Sequence, residues 1–206
     1  MIRMNILNKI WKKKTVISNI TDFINKGDIF IDCGANVGQE TIPAAEKGAI
    51  VYSFEPNPHA FAELSKRVEG MDNVHLFNKG VLDKNTTLKL YLHNQSDDDE
   101  VKWSTASSLL AEKSNVRKDK FVEVEIIDLT EFIESIGKRI KVLKIDVEGV
   151  EFEILNKLID SGIYKNIDHI LAETHEEKMP ELLPKLKNLK KKIAKNNISN
   201  IDLNWI

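Results

Sequence analysis

The chain has 206 residues, of which 42% are apolar, enough to bury one ordinary core without disulfides or metal staples. Charged residues make up 30% yet balance to a formal net charge of −2, so no global field draws the protein to nucleic acid or to an anionic membrane. The single cysteine, Cys33, excludes an internal disulfide. No charged-then-apolar leader is evident, and no apolar run approaches the roughly 20 residues that cross a bilayer. The expectation is a cytoplasmic protein with one domain over 28–206, preceded by a helical segment at 1–27 that packs on it.

In the first segment, Ile2, Ile6 and Ile10 with Trp11 and Lys12, Lys13 and Lys14 have the pattern of a short basic amphipathic helix. Such a helix can pack on the domain or touch a membrane surface. From residue 29 onward, short β-branched runs alternate with helical patterns. That alternation predicts an α/β fold, doubly wound, with a mostly parallel central sheet and helices on both faces. Strands are expected at 29–33, 50–54 and 74–77, with helices at 39–47 and 59–69 between them. Alternating residues at 86–92 and 121–127 read as further strands. Between them, 93–119 is rich in Ser, Asp, Asn and Lys, carries the run Asp97 to Glu100, and includes Trp103. It reads as a lid over an acceptor.

Asp128 caps the next expected helix, with Glu131 completing a capping box and Gly137 stopping it. A strand at 142–145, a helix at 150–161 and a strand at 169–172 continue the alternation. Leu182, Leu186, Leu189 and Ile193 fall at helical spacing, and 201–206 reads as a last strand.

In an open parallel sheet, ligands bind outside the carboxyl ends of the strands. Four such ends carry chemistry here. After the first strand, Asp32-Cys33-Gly34-Ala35-Asn36-Val37-Gly38 offers a tight turn that a ligand can approach closely, and Asn36 tolerates positive φ. A dinucleotide fingerprint would need two more glycines, where Asn36 and Gln39 stand, so a nicotinamide cofactor is disfavoured. After the second strand, about twenty residues on, Glu55 can accept both hydroxyl hydrogens of a ribose. Together the two point to a nucleoside.

The third end is Lys144-Ile145-Asp146-Val147-Glu148-Gly149-Val150-Glu151. A carboxylate at a strand tip, Asp146 first among them, can orient a substrate, act as a base or hold a metal. Glu148 and Glu151 can instead complement the dipole of the next helix, which is the preferred reading for Glu151. The fourth end, Glu173-Thr174-His175-Glu176, supplies His175 as a base or a substrate hydrogen-bond partner.

Taken in order, Asp32-x-Gly34-x-Asn36-x-Gly38, then Phe54-Glu55-Pro56, then Lys144-Ile145-Asp146-Val147-Glu148-Gly149-x-Glu151 resemble the FkbM-type methyltransferases over roughly residues 28–176. The resemblance implies a Rossmann-like class I methyltransferase sheet of the seven-stranded type and S-adenosylmethionine as cofactor. It also implies transfer to a hydroxyl oxygen, often on a sugar or a natural product. By it, Gly34, Ala35, Asn36 and Gly38 line the cofactor site and Glu55 holds the ribose. Asp32 sits under the turn or near the methionine amino group, and Asp146 borders the cofactor. Val81, within 78–83, falls where such enzymes contact adenine. The C-terminus departs from the family, with one short strand in place of a terminal hairpin.

Catalysis is assigned to Asp146 as base or ligand, with Glu148, Glu173 and His175 supporting it or orienting the acceptor. Converging carboxylates are compatible with a divalent metal, but no His/Cys spacing supports zinc, and no metal ligand is assigned. The expected partner is a small-molecule or carbohydrate acceptor. Nucleic acid is disfavoured, because Asp146-Val147-Glu148-Gly149 stands where amino-directed nucleic-acid enzymes resemble D/N-P-P-Y/F. The lysines of 185–195 read as the solvated face of a helix. A noncatalytic platform that binds the cofactor or a membrane is the other alternative.

Overall fold

A computed structural model describes residues 19–93 and 116–205. Its main sheet is built from β1 (Ile29–Cys33), β2 (Ile50–Phe54), β3 (Val74–Phe77), β7 (Ile140–Ile145), β8 (Ile167–Ala172) and β9 (Ile201–Asp202). The order is β3-β2-β1-β7-β8-β9, and every pair is parallel. The helices are α1 (Thr41–Glu46), α2 (Pro58–Arg67), α3 (Leu129–Ile136), α4 (Glu151–Ser161) and α5 (Leu183–Lys195). A second sheet joins β4 (Gly80–Leu82) and β5 (Thr86–His93) to the two edges of β6 (Val116–Asp128).

Alternation along the strands sorts side chains onto two faces. On one, Ile31, Cys33, Phe54, Leu143 and Ile145 bury against Leu129 and Ile133 of α3, Leu155 and Leu158 of α4, and Leu186, Leu189 and Ile193 of α5. Phe132 of α3 meets Phe54 edge-on, with ring centroids 4.9 Å apart. On the other face, Phe30, Val51, Val142 and Leu171 pack against Ala44 and Ala45 of α1 and against Ile20 and Ile24. Ile20 and Ile24 belong to the expected N-terminal helix. Among the described residues of that segment, 19–27, the chain makes a 3-10 turn at Ile20–Phe23, and the basic amphipathic pattern at 2–14 lies outside the described residues.

Several expected boundaries shift for local reasons. α1 starts at Thr41, because residues 36–40 form the turn that Asn36 and Gly38 bend with φ of 48° and 92°. Pro43 is tolerated in the first helical turn, where amides have no intrahelical acceptor. The capping box at α3 is not reciprocal. Asp128 does cap Thr130 and Glu131, but its own N–H donates to Asn85 Oδ1 at 2.8 Å, and Glu131 accepts from the amide of Asn85. β4 was not expected, since three residues beginning with glycine carry no strand period. β9 ends after two residues because the Asp202 carboxylate accepts the Asn204 N–H at 2.9 Å and turns the chain.

Among the described residues the main sheet has six strands rather than seven, with no terminal hairpin. The segment expected as a lid begins and ends as strand, at His93 and Val116; the rest of it, with Trp103, lies outside the described residues. No described helix is long and apolar enough to cross a membrane.

Candidate active site

The chain runs outward from β1 to β3 on one side, then returns to build β7, β8 and β9 on the other. The order therefore reverses between β1 and β7, and a crevice opens at the carboxyl ends of those strands. Register makes the crevice coherent. Cys33 stands opposite both Phe54 and Ile145, and Ile145 opposite Ala172. The next residue on each strand is Gly34, Glu55, Asp146 or Glu173, so four separate motifs reach one edge. They border a cavity of about 350 Å³, within the range of small-ligand sites.

The glycine turn is fitted to its neighbours. Gly34 has φ of 83°, and a Cβ there would lie 1.8 Å from the carbonyl oxygen of Asp146. Asn36 donates its N–H to Glu55 Oε2 at 2.8 Å, and Asn57 donates its N–H to Glu55 Oε1 at 2.8 Å. Burial pushes the Glu55 carboxyl up from 4.5 to about 7, against the lowering effect of those two hydrogen bonds and of Lys144. A carboxylate offers about four acceptor positions, so two remain for a ligand.

Below the turn, Asp32 is fully buried. It accepts the Thr41 hydroxyl at 2.7 Å and pairs with Lys144 Nζ at 3.1 Å. Lys144 also donates to the Gly34 carbonyl at 2.8 Å and stands 3.7 Å from Asp146. Burial disfavours its charge, but Asp32 and then Asp146 hold its pKa above the ordinary lysine value. Lys144 thus clamps the β1 and β7 ends together. Its position between Leu143 and Ile145, just before the strand end, was the available signal for this role.

At the β7 and β8 ends, His175 is 4% exposed and has φ of 50°. Its Nδ1 is 2.9 Å from Glu151 Oε1. Its Nε2 faces Glu148 Oε2 at 3.3 Å, Glu173 Oε1 at 3.4 Å and Asp146 Oδ1 at 3.6 Å. Burial opposes the charged imidazole, yet Glu151, Glu148 and Glu173 raise its pKa above 6.5. Burial also raises the Asp146 pKa, with Lys144 opposing. Glu151 does meet amides at the start of α4, accepting from Gly149 at 3.0 Å and Val147 at 3.3 Å. It also orients His175, which the dipole reading missed.

Asp32, Gly34, Ala35, Asn36, Glu55, Val81, Asp146, Glu148 and Glu173 all line the cavity. Gly38 does not: its φ is 92°, and a Cβ on it would meet Leu64 Cδ1 at 2.7 Å and Ile42 Cδ1 at 3.1 Å, so this glycine serves the turn and its packing on α1 and α2. His175 lies beneath the carboxylates rather than on the cavity wall. Val81 and Leu90 bring the second sheet in as one wall, and Trp205, expected in a strand, lines the cavity with its ring centroid 5.5 Å from Lys144 Nζ.

A Rossmann-like sheet with its crevice at the β1/β7 reversal, flanked by a glycine turn and an acidic second strand end, defines a class I methyltransferase fold. The methyltransferase FkbM domain model matches residues 32–196, most of the chain, and the protein belongs to that family. It is 26% identical over 146 residues to the 2-O-methyltransferase NoeI of Sinorhizobium fredii (strain NBRC 101917 / NGR234), covering 66% of this chain and 60% of that protein. It is also 26% identical over 165 residues to Methyltransferase 1 of Beauveria bassiana (strain ARSEF 2860), covering 72% and 65%. The chain thus spans less than two thirds of the length of these relatives. An rRNA methylase structure from Streptococcus thermophilus superposes with a TM-score of 0.45 at 11% identity, covering 81% of this chain and 73% of that one.

Proposed function

We propose that the protein binds S-adenosylmethionine between the glycine turn and Glu55, and methylates a hydroxyl oxygen of a small-molecule or carbohydrate acceptor. The observation that carries the reading is the common register row from which Gly34, Glu55, Asp146 and Glu173 emerge around one cavity. Family membership supports methyl transfer, and the 2-O-methyltransferase relative supports an oxygen acceptor.

The residues fit the cofactor. Gly34, Ala35 and Asn36 present the turn to the cavity beside Glu55, which keeps acceptor positions for ribose hydroxyls. Val81 and Gly80 offer an apolar wall for adenine. When bound, S-adenosylmethionine supplies a methyl group on a sulfonium, whose sulfur leaves as a neutral thioether. The chain's own task is then to align the acceptor oxygen with that methyl, exclude water and remove the hydroxyl proton. Asp146 takes the role of base or ligand, with Glu148, Glu173 and His175 holding its surroundings and the acceptor.

Nucleic acid is the weaker partner. The lysines of α5 are engaged in part by α4: Lys185 pairs with Glu153 at 2.6 Å and Lys192 with Asp160 at 2.7 Å. The crevice mouth itself carries Asp146, Glu148 and Glu173, which repel phosphate. A cytoplasmic location, an acceptor lid at 93–119 and an N-terminal segment at 1–27 packed on the domain remain parts of this proposal.

The test of the cofactor half uses Glu55. Ribose hydroxyls donate to the ionised carboxylate, so affinity for S-adenosylmethionine is expected to rise about tenfold from pH 6 to pH 8, across a pKa of about 7. The free protein moves the other way. A carboxyl with a raised folded pKa contributes stability that is full below the unfolded value and lost as pH rises through 7. Calorimetric titration across this range checks the first trend. A Glu55→Gln protein should bind about 10- to 100-fold more weakly at pH 8 and lose this pH dependence. Equal affinity of the two proteins at pH 8 would sink the ribose assignment.

A further inference from the structure

We infer that Asp146, Glu148 and His175 form a binding site for one hard divalent cation, of the manganese or magnesium class, at the acceptor end of the cavity. One ligand atom from each of the three lies within 4.8 Å of the others. Ligands of one ion at bond lengths of about 2.2 Å stand roughly 3 Å apart when adjacent and about 4.4 Å apart when opposite. The separations of 3.3 Å and 3.6 Å from His175 Nε2 to Glu148 and Asp146 match adjacent positions that need only small adjustment.

The imidazole supplies an observation independent of the acidic cluster. His175 is buried to 4% exposure, and neither ring nitrogen makes a well-aligned hydrogen bond among the described residues, although three carboxylates surround Nε2. A single N–H could serve one of them at most. The other nitrogen is close to Glu151, itself fixed by the amides of Val147 and Gly149. With the proton on Nδ1, the Nε2 lone pair points into a ring of negative oxygens, an arrangement that an intervening cation resolves. A carboxylate that orients the far nitrogen is also the usual outer support of a metal-bound histidine.

Charge favours the same occupant. Among the described residues, Asp32, Asp146, Glu148, Glu151 and Glu173 gather around the ammonium groups of Lys144 and Lys178. Even a charged His175 leaves a surplus of negative charge in a partly desolvated place. Two carboxylates with one nitrogen suit a hard or borderline ion that keeps open coordination positions, and these would face the cavity.

The binding claim stands by itself, while its role rests on the methyl-transfer reading. An ion here polarises an acceptor hydroxyl, which releases its proton to the neighbouring Glu173 carboxylate. The oxygen then forms its bond to the methyl carbon as the carbon–sulfur bond breaks, and the sulfur keeps the electron pair. Asp146 thereby acts as a ligand rather than as the base.

The probe is Mn²⁺ alone, titrated into the metal-free full chain and followed by loss of the electron paramagnetic resonance signal of the free ion. One equivalent should bind with submillimolar affinity, and pulsed spectra should carry a ¹⁴N modulation from the imidazole. Glu148→Gln and His175→Gln should each weaken binding at least tenfold, and His175→Gln should erase the modulation. Glu151→Gln should weaken binding by about 10- to 100-fold, as the loss of an outer-shell support does. Glu63→Gln, remote from the cluster, should change nothing, and thermal unfolding verifies that each protein is folded. Absence of binding at millimolar Mn²⁺, or bound Mn²⁺ without the nitrogen modulation in the unaltered protein, overturns the site. Calorimetry with S-adenosylmethionine separates this from the functional reading, because either ligand can fail while the other binds.

Discussion

Replacing Asp146 with asparagine is expected to lower turnover by about a hundred- to ten-thousand-fold while leaving the protein folded, with an unfolding temperature unchanged or higher. Asparagine keeps the shape of the side chain, and the backbone of residue 146 still donates to Cys33 and still closes over Gly34. What disappears is one negative charge beside Glu148 and Glu173, all three gathered around His175 Nε2. Removing it relieves like-charge repulsion and leaves Lys144 its closer partner, Asp32, at 3.1 Å. Activity and stability should therefore move apart, whereas a purely structural residue would lose both. Turnover on a responsive acceptor, measured beside a thermal melt, makes the comparison. Full turnover in Asp146→Asn would remove this residue from the chemistry.

The second large effect is expected from Gly34→Ala. Gly34 and Gly70 have nearly the same φ, 83° and 82°, so an alanine suffers similar backbone strain at either position. That strain alone costs about 1 to 2 kcal/mol. Around Gly70 an added Cβ meets nothing within 4 Å, while at Gly34 it would lie 1.8 Å from the Asp146 carbonyl oxygen. The obstacle is backbone held by the β1/β7 ladder, and no side-chain rotation relieves it. Gly34→Ala should thus cost upwards of about 4 kcal/mol, in the range of severe backbone changes, and Gly70→Ala only the strain. At about 2 to 4 °C per kcal/mol, thermal melts should separate the two proteins by several degrees. The Gly34 variant should also lose S-adenosylmethionine binding even below its melting temperature, because the β1 and β7 ends must part. Similar melts for the two proteins would show that the crevice tolerates such movement.

Local signals made much of this legible. The apolar runs at Ile29–Cys33 and Ile50–Phe54, each ending at a turn, marked strands whose carboxyl ends do converge. Asn36, singled out for its tolerance of positive φ, adopts φ of 48° and reaches Glu55. Features set by partners distant in sequence were less legible. Gly38 looks like a second cofactor glycine, but its φ of 92° serves the turn, and the side it leaves bare faces Leu64 on α2 and Ile42 on α1. Asn85 displaces the expected capping box because only the fold brings it to Asp128. Glu151 suits a helix terminus in any sequence, and its second contact depends on β8 delivering His175 beside it. Trp205 reaches the cavity only because Asp202 stops β9.

Methyl transfer to a hydroxyl oxygen, the activity proposed for this protein, is followed directly with labelled methyl groups. The protein would be incubated with methyl-labelled S-adenosylmethionine and a cell extract divided into small-molecule and glycan, protein and RNA fractions. Label is expected in the small-molecule and glycan fraction, as a methyl ether stable to mild base, and should be lost in Glu55→Ala and Asp146→Asn proteins. Label recovered in RNA, or no transfer to any fraction by a protein that binds S-adenosylmethionine, would contradict it.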